Sequence, residues 1–384
     1  MYESAHLITS KTVSGFPEFP IPAAFPDFPG HRLMLRYLTS YAENFQLDGN
    51  IRFGADVRSL ERIGSGERAA WRVTTHAGET LYYQYVVIAT GLQWTPRCAG
   101  VPGTFGGEIM HSSRYGSARQ LTGKRVLVIG SGNSGVDIAC DAAESAQSAS
   151  LSMRRGNWVV PKYLFGVPAD SLSGGGSRLP MRLRQIITEV MLRVLVGDLT
   201  RFGLPKPRHR IYEIPPIINS ELLEKLGHGD LRVRPAVRHF DDRLVTFVDG
   251  TSAEFDLVIL ATGYEAAFPL LHGPDLAPAG GAPDLFIHTF PRELDDIAVI
   301  GLPGGEGGGF RAMSLQSELA AEVFGRSREA PRSLDAFRAL KQTRPDLSGG
   351  IDFAANDRTA FAVSAQVFCR QLCSLRDRFR RREI

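Results

Sequence analysis

The segment Val126–Asp137, Val-Leu-Val-Ile-Gly-Ser-Gly-Asn-Ser-Gly-Val-Asp, constrains the fold more than any other stretch of this chain. Val126 to Ile129 read as a short buried strand. Gly130-Ser131-Gly132-Asn133-Ser134-Gly135 then completes a GxGxxG and runs into Val136, Ile138 and Ala139 of a helix. In a chain with 40 glycines the hexapeptide alone carries little. The strand before it and the helix after it make it a dinucleotide-binding turn rather than a plain packing turn. Gly130 allows the tight turn, Gly132 lets the backbone approach a pyrophosphate, and Gly135 lets helix and strand pack closely. The helix N-terminus offers free N–H groups and a positive dipole end to phosphates.

The next strand is expected over Ala149–Met153, and it ends at Arg154-Arg155. An NAD site would want an Asp or Glu near here for the ribose 2′-hydroxyl, and none is present. Paired arginines suit a 2′-phosphate and point to NADP. The alternative is a solvated strand end.

Length and composition set the frame. The 384 residues are enough for two domains, and 43% hydrophobic with 22% charged residues is ordinary for a globular protein. A net charge of +3 gives no argument for nucleic acid. Arg376, Arg378, Arg380, Arg381 and Arg382 make the C-terminus locally basic, as a solvated helix end or tail. Four cysteines do not make a disulfide scaffold, and Cys369 and Cys373 have no second pair for a metal site. There is no signal peptide and no apolar run near the ~18 residues of a membrane span, so a cytoplasmic location is expected.

Phe16-Pro17-Glu18-Phe19-Pro20-Ile21-Pro22 and Phe25-Pro26-Asp27-Phe28-Pro29 predict an extended aromatic–proline loop laid on a surface. A helix follows from His31 to Phe45, with Leu35, Leu38, Ala42 and Phe45 on one face. Ile51-Arg52-Phe53 and Trp71–Thr74 read as strands of a small sheet. Tyr85-Val86-Val87-Ile88-Ala89-Thr90-Gly91 reads as a buried strand closed by a glycine turn. The pattern recurs as Asp256-Leu257-Val258-Ile259-Leu260-Ala261-Thr262-Gly263-Tyr264. Two Ala-Thr-Gly strand ends flanking one GxGxxG predict a nucleotide domain inserted in another, entered near Gly91 and left near Gly263. The connection holds Gly174-Gly175-Gly176, read as a mobile loop. It also holds a helix with Ile186, Ile187, Val190, Met191, Val194 and Leu195 on one stripe, expected to be core of the insertion rather than a membrane anchor.

Phe105-Gly106-Gly107-Glu108-Ile109-Met110-His111-Ser112-Ser113-Arg114-Tyr115 is an FxGxxxHxxxY. Read alone, His111 is a hydrogen-bonded linker histidine or a base. With this element, the Phe-Pro-rich entry, GSGNSG and Asp137, Pro161-Lys162, Asn219-Ser220, the Asp256 to Tyr264 strand, Ile300-Gly301-Leu302 and Gln316, the chain resembles the flavin-containing monooxygenases, class B flavoprotein monooxygenases, over almost its whole length. The resemblance implies an α/β two-dinucleotide-binding-domain flavoprotein: a Rossmann-like NADP domain (120–257) inserted in an FAD domain (1–119 and 258–384). It implies FAD and NADP as cofactors, and O2 and a small molecule as substrates. NADPH would reduce FAD, and a flavin peroxide would oxygenate a soft nitrogen or sulfur nucleophile. It implies that Thr90, Gly91, Thr262, Gly263 and Gln316 lie at the cofactors, and that His111 and Tyr115 couple the domains rather than do proton chemistry. Tyr115 stands where the related Baeyer–Villiger enzymes usually have Trp. Gly304-Gly305 and Gly307-Gly308-Gly309 lie near the flavin or form a surface loop.

Two departures from the family pattern stand out. Its N-terminal FAD-binding GxGxxG unit is absent before Met1, so the FAD domain is expected to be incomplete as written. The position of the family's flavin-side Asn is Ile8, which cannot hydrogen-bond, leaving Thr9 or Ser10 as substitutes. Alternatives to the monooxygenase are therefore an NADPH oxidase or reductase on the same scaffold, or an NADP-binding remnant without flavin activity. Oligomeric state is left open.

Overall fold

The structure is a computed structural model of residues 1–384. It describes all of them except 65–68, 99, 173–178, 266, 268–269, 271–282, 306–308, 330–333 and 355–358. Gly174 to Gly176, Gly307 and Gly308 lie outside the described residues.

The chain opens with the expected aromatic–proline loop. It packs Phe16, Phe19, Ile21 and Phe25 around Met34 and Tyr37 of helix α1 (His31–Asn44). Tyr37 fixes the loop by accepting from Phe16 N–H at 2.8 Å and donating to the Phe19 carbonyl at 2.5 Å. The covered face of α1 is thus the Met34–Tyr37 face, and the predicted stripe is wrong: Leu35 is 67% exposed, and Leu38 and Phe45 are exposed too. The aromatic rings of the loop claim the neighbouring face.

An antiparallel meander follows, β1 (Val57–Ile63), β2 (Ala70–Thr75) and β3 (Thr80–Tyr83). Ile51-Arg52-Phe53 is not one of its strands, and Phe53 is exposed. Strand β4 (Val86–Ile88) is shorter than predicted. It pairs in parallel with a late strand, and Val87 is exposed rather than buried.

The dominant element is an all-parallel five-stranded sheet. Its strands are β5 (Glu108–His111), β6 (Arg125–Ile129), β7 (Ser148–Ser152), β8 (Leu231–Arg234) and β12 (Leu257–Leu260), in the order β8-β7-β6-β12-β5. Between β8 and β12 runs the meander β9 (Val237–Asp242), β10 (Leu244–Phe247) and β11 (Ser252–Glu254). β6 is central, which explains its unbroken apolar run. Val126 and Val128 point to helix α2 (Asn133–Ser145), packing with Val136, Ile138 and Ala139. Leu127 points to the other face, against Phe240, Val245, Phe247 and Phe255 of the meander side. This sheet draws on residues outside 120–257: β5 precedes that range, and Val258 to Leu260 of β12 follow it.

After β7 come α3 (Met181–Leu195) and α4 (Leu222–His228). The stripe expected as core on α3 faces outward: Ile186, Ile187, Val190, Val194 and Leu195 are exposed, and Met191 is half-buried. The chain then returns through β13 (Ile297–Val299), the partner of β4, into α5 (Gly309–Glu329), α6 (Asp335–Lys341) and α7 (Ala365–Arg380). Leu315, Leu319, Val323, Phe337, Phe368 and Leu372 form the second large core. The C-terminal arginines are not all a solvated tail. Arg376 reaches Glu318 at 3.0 Å, and Arg380 reaches Glu318 at 3.0 Å and Glu322 at 2.8 Å, clamping α7 on α5.

Candidate nicotinamide-nucleotide site

The turn between β6 and α2 is set by backbone packing. Gly130 has φ +115°, and its N–H donates to the Ser152 carbonyl at 3.1 Å. A Cβ on Gly130 would fall on the Ala261 carbonyl, 2.8 Å from its carbon. A Cβ on Gly135 would meet the Gly130 carbonyl carbon at 3.0 Å and the Ala261 methyl at 3.0 Å. Both glycines are therefore required by close approach. The second Ala-Thr-Gly is part of this packing, because Ala261 lies against both. Gly132 is the N-cap of α2 and provides no side-chain acceptor, which leaves the first-turn amides to a ligand. Arg154 and Arg155 lie just past the end of β7, the strand beside β6, and both are exposed.

Residues distant in sequence converge on the first two turns of α2. Asn133 Oδ1 accepts from Ile218 N–H at 2.8 Å. Tyr2 OH donates to Asp137 Oδ2 at 3.0 Å, and Asn219 Nδ2 donates to Asp137 Oδ1 at 3.0 Å. The Asn219 oxygen caps α4, accepting from Glu221 and Leu222 N–H at 2.8 and 2.7 Å. Burial pushes the Asp137 carboxyl up, against the hydrogen bonds from Tyr2 and Asn219 and the Lys162 charge. Asp137 thus anchors α2, with both oxygens bonded to protein. Ser131 is half-buried and Ser134 exposed at the cradle. One turn on, Asp141 Oδ2 accepts from Tyr115 OH at 2.7 Å and Ser4 Oγ at 2.6 Å. Burial, then the Asp141 bond, raises the Tyr115 phenol far above its usual range, so it is a permanent donor. The contacts of Tyr2, Ser4 and Asp141 were not read from the sequence. The i, i+4 spacing of Asp137 and Asp141 beside Tyr115 is the signal that carried them.

His111 is buried at the end of β5. Ser113 N–H donates to Nδ1 at 3.1 Å, which places the proton on Nε2, and Nε2 donates to the Gly263 carbonyl at 3.0 Å. Burial holds the imidazole below its usual pKa. The same Gly263 oxygen accepts from Arg97 N–H at 3.0 Å, and Thr262 Oγ1 donates to the Arg97 carbonyl. There the outgoing segment Thr95–Pro96 pairs antiparallel with the returning Tyr264–Glu265. His111 thus ties the FxGxxxHxxxY element to the paired crossings between the two parts of the molecule.

The Flavin-binding monooxygenase-like family model matches residues 1–348. The chain belongs to this family of enzymes. It is 30% identical over 367 residues to Flavin-containing monooxygenase 5 of Oryctolagus cuniculus, covering 91% of this chain and 68% of that one. It is 29% identical over 343 residues to Dimethylaniline monooxygenase [N-oxide-forming] 2 of Macaca mulatta, covering 84% of this chain and 64% of that one. The solved S-allyl-L-cysteine S-oxygenase from Allium sativum shares the fold, with TM-score 0.65 and 20% identity over 98% of this chain and 74% of its own. The architecture is that of two-dinucleotide-binding-domain flavin monooxygenases, and the family's cofactors are FAD and NADP.

The cradle at Gly130–Gly135 fits the nicotinamide dinucleotide: it has the close backbone approach, the uncapped amides and the neighbouring cations. The residues expected at the flavin have partners within the chain. Thr9 Oγ1 pairs with Ser14 Oγ at 2.7 Å, and Ser10 Oγ pairs with Thr12 Oγ1 at 2.7 Å, so both hydroxyls have protein partners. Gln316 is fully buried, accepting from Gly301 N–H at 3.2 Å and donating to Thr289 Oγ1 at 2.8 Å. It ties the Gly301 turn to Thr289. Thr90 is exposed, with Gly91 in the left-handed region just past β4. Phe16 packs edge-on against Phe310 at 4.8 Å, which brings the N-terminal loop to the start of α5.

Proposed function

We propose that the chain works as an NADPH- and FAD-dependent monooxygenase that uses O2 to oxygenate a soft nitrogen or sulfur nucleophile of a small molecule. The observation that carries the nicotinamide half is the Gly130–Gly135 cradle with Arg154 and Arg155, and no acid, at the adjoining strand end. Gly132 and the first-turn amides of α2 bind the pyrophosphate, and the two arginines pair with the 2′-phosphate. Asp137 and Asp141 fix α2 through Tyr2, Asn219 and Tyr115, so the cradle is preorganised. His111 holds the crossing at Gly263 as a neutral donor and moves no proton. Bound FAD would supply the redox chemistry, taking hydride from NADPH and passing electrons to O2. The N-oxide-forming relative supports a nitrogen nucleophile, and the S-oxygenase fold neighbour is in keeping with sulfur.

Arg154→Ala with Arg155→Ala should weaken NADPH binding about 100-fold and NADH binding less than about threefold, since each charge-assisted contact contributes about 1.5–3 kcal/mol. Fluorescence titration of both nucleotides checks this, and equal losses would remove the 2′-phosphate assignment. A second reading, NADPH oxidation with release of hydrogen peroxide, is favoured by Ile8 and by the internally bonded hydroxyls of Thr9 and Ser10. Comparing NADPH consumed with N- or S-oxide formed from a tertiary amine and a thioether separates the two: matched amounts mean oxygenation, and peroxide without oxide means oxidase.

A further inference from the structure

The meander β9–β11 does not cover the whole of its side of the parallel sheet. Alternate residues of a strand share a face. Ser148, Ser150 and Ser152 of β7 therefore line up with Arg232 and Arg234 of the edge strand β8, on the side where Leu127 of β6 meets the meander. Phe240, Phe247 and Phe255 close over β6 and β12. Beside them, over β7 and β8, an open groove of about 400 Å³ is left, lined by Ser148, Ser150, Arg232, Arg234, Ala253 and Phe255. It starts at the end of the sheet opposite the glycine turn: Ser148 opens β7, and Arg154 lies about 20 Å further along that strand.

Two polar groups of this groove lack partners among the described residues. Ser150 is 6% exposed and its hydroxyl makes no hydrogen bond, whereas Ser152 Oγ donates to the Pro235 carbonyl at 2.7 Å. Arg234 Nε is buried with no acceptor, and its guanidinium is held over the Phe247 ring at 5.5 Å. Neither Arg234 nor the exposed Arg232 has a carboxylate within ion-pair distance among the described residues. The acids nearby are engaged elsewhere. Glu254 accepts from Arg125 at 2.5 Å, Asp230 lies 3.8 Å from His228, and Asp249, which feels the Arg234 charge, accepts from Thr251 N–H at 3.0 Å. Native folds leave few buried donors unpaired, because each forfeits its bond to water. Here such donors share one groove with two uncompensated guanidinium groups. Two charges match a dianion. Donors arriving from two strands suit the tetrahedral oxygens of a phosphate better than a planar carboxylate, which one arginine satisfies. The volume falls within the roughly 300–1,000 Å³ of small-molecule sites, so there is room for an organic group against Ala253 and Phe255. We propose that this groove binds a small organic phosphate monoester, its phosphate held by Arg232, Arg234 and Ser150, at a site separate from the nicotinamide-nucleotide cradle.

The test is calorimetric titration of the whole chain with phenyl phosphate in a phosphate-free buffer, with and without saturating NADP. Saturable binding with Kd below about 1 mM is expected, and it should be the same in both cases. Benzoate, a planar monoanion, should bind at least about tenfold more weakly. Arg232→Glu, at an exposed position, should lower the affinity for phenyl phosphate about tenfold or more with the thermal melt unchanged. Ser150→Ala should lower it about threefold or more while the melt stays or rises, since the change removes an unpaired buried hydroxyl. No saturable binding, or full affinity in either variant, overturns the proposal. So does loss of binding when NADP is added, which would place the probe in the nucleotide cradle. Benzoate bound as tightly as phenyl phosphate overturns it too, by making the groove a carboxylate site.

Discussion

One methyl group separates packing from binding within the glycine turn. At Gly135 a Cβ would be pressed against the Gly130 carbonyl and the Ala261 methyl, both part of the rigid sheet end. Gly135→Ala is expected to destabilise the fold by about 1–3 kcal/mol and to lose NADPH binding with it. Gly132 is different: its φ of −73° and ψ of 174° suit any residue, and it lies at the N-cap. Gly132→Ala should cost at most about 1 kcal/mol as a weaker cap, yet lower NADPH affinity by narrowing the approach to the pyrophosphate. Thermal melts beside nucleotide titration resolve the two. A Gly132→Ala protein that binds NADPH as the wild type does would remove Gly132 from the phosphate site. Gly130 and Gly135 were legible in the sequence because their spacing reflects backbone collisions. The expectation that Thr9, Ser10 and Gln316 lie at the flavin has no such backbone signature, since a polar side chain can bond to its neighbours as readily as to a ligand.

Among the elements, α1 and α3 show what periodicity leaves open. It found both helices, but not which face the rest of the chain would cover. In α3 the choice was made by the backbone N–H and C=O of Ile211, which need a carboxylate and an amide. The usual substitution rule is therefore inverted on this helix. Ile187→Ser should shift stability by less than about 0.5 kcal/mol, while Glu189→Leu strands a buried N–H and costs about 1–3 kcal/mol. Glu189→Gln keeps the acceptor and should fall between them. Denaturant melts of the three variants decide the matter, and a destabilised Ile187→Ser protein would mean that the stripe is covered from within. A comparable case is Lys341 at the end of α6. It is fully buried, donates to the Leu294 and Pro291 carbonyls at 2.6 and 3.1 Å and pairs with Asp295 at 2.7 Å. Lys341→Ala, which leaves the Leu294 and Pro291 carbonyls without their donor, should cost about 1–3 kcal/mol. The exposed ion pair between Arg380 and Glu322 should contribute under about 1 kcal/mol.

At the scale of the molecule, acid sensitivity follows from one buried and two half-buried histidines in three separate places. His111 lies at the crossing between the two parts, His209 in the loop that follows α3, and His288 in the hairpin before β13, where its ring meets Phe361 edge-on at 5.5 Å. Burial lowers the pKa of all three below 6.5, against carboxylates that pull His209 the other way. The native state therefore holds these rings neutral while the unfolded chain protonates them. Their contribution is fully present above pH 6.5 and is lost as pH falls through the lowered native values. Three protons set a slope of at most about 4 kcal/mol per pH unit in that window. Asp137, whose carboxyl is raised by burial, works in the opposite sense. Asp256, held well below the usual carboxylate range by hydrogen bonds from Arg125, keeps its contribution to far lower pH. The order of loss is thus histidines first and the Arg125–Asp256 pair last. His288 has φ +50°, a conformation that Asn accepts, so His288→Asn removes one titrating ring without straining the hairpin. Its unfolding free energy, measured as pH falls below 6.5, should change less steeply with pH than that of the wild type, by at most about 1.4 kcal/mol per unit. An unchanged slope would mean that His288 is charged in the native state, and the edge-on packing against Phe361 would then have to hold a cation.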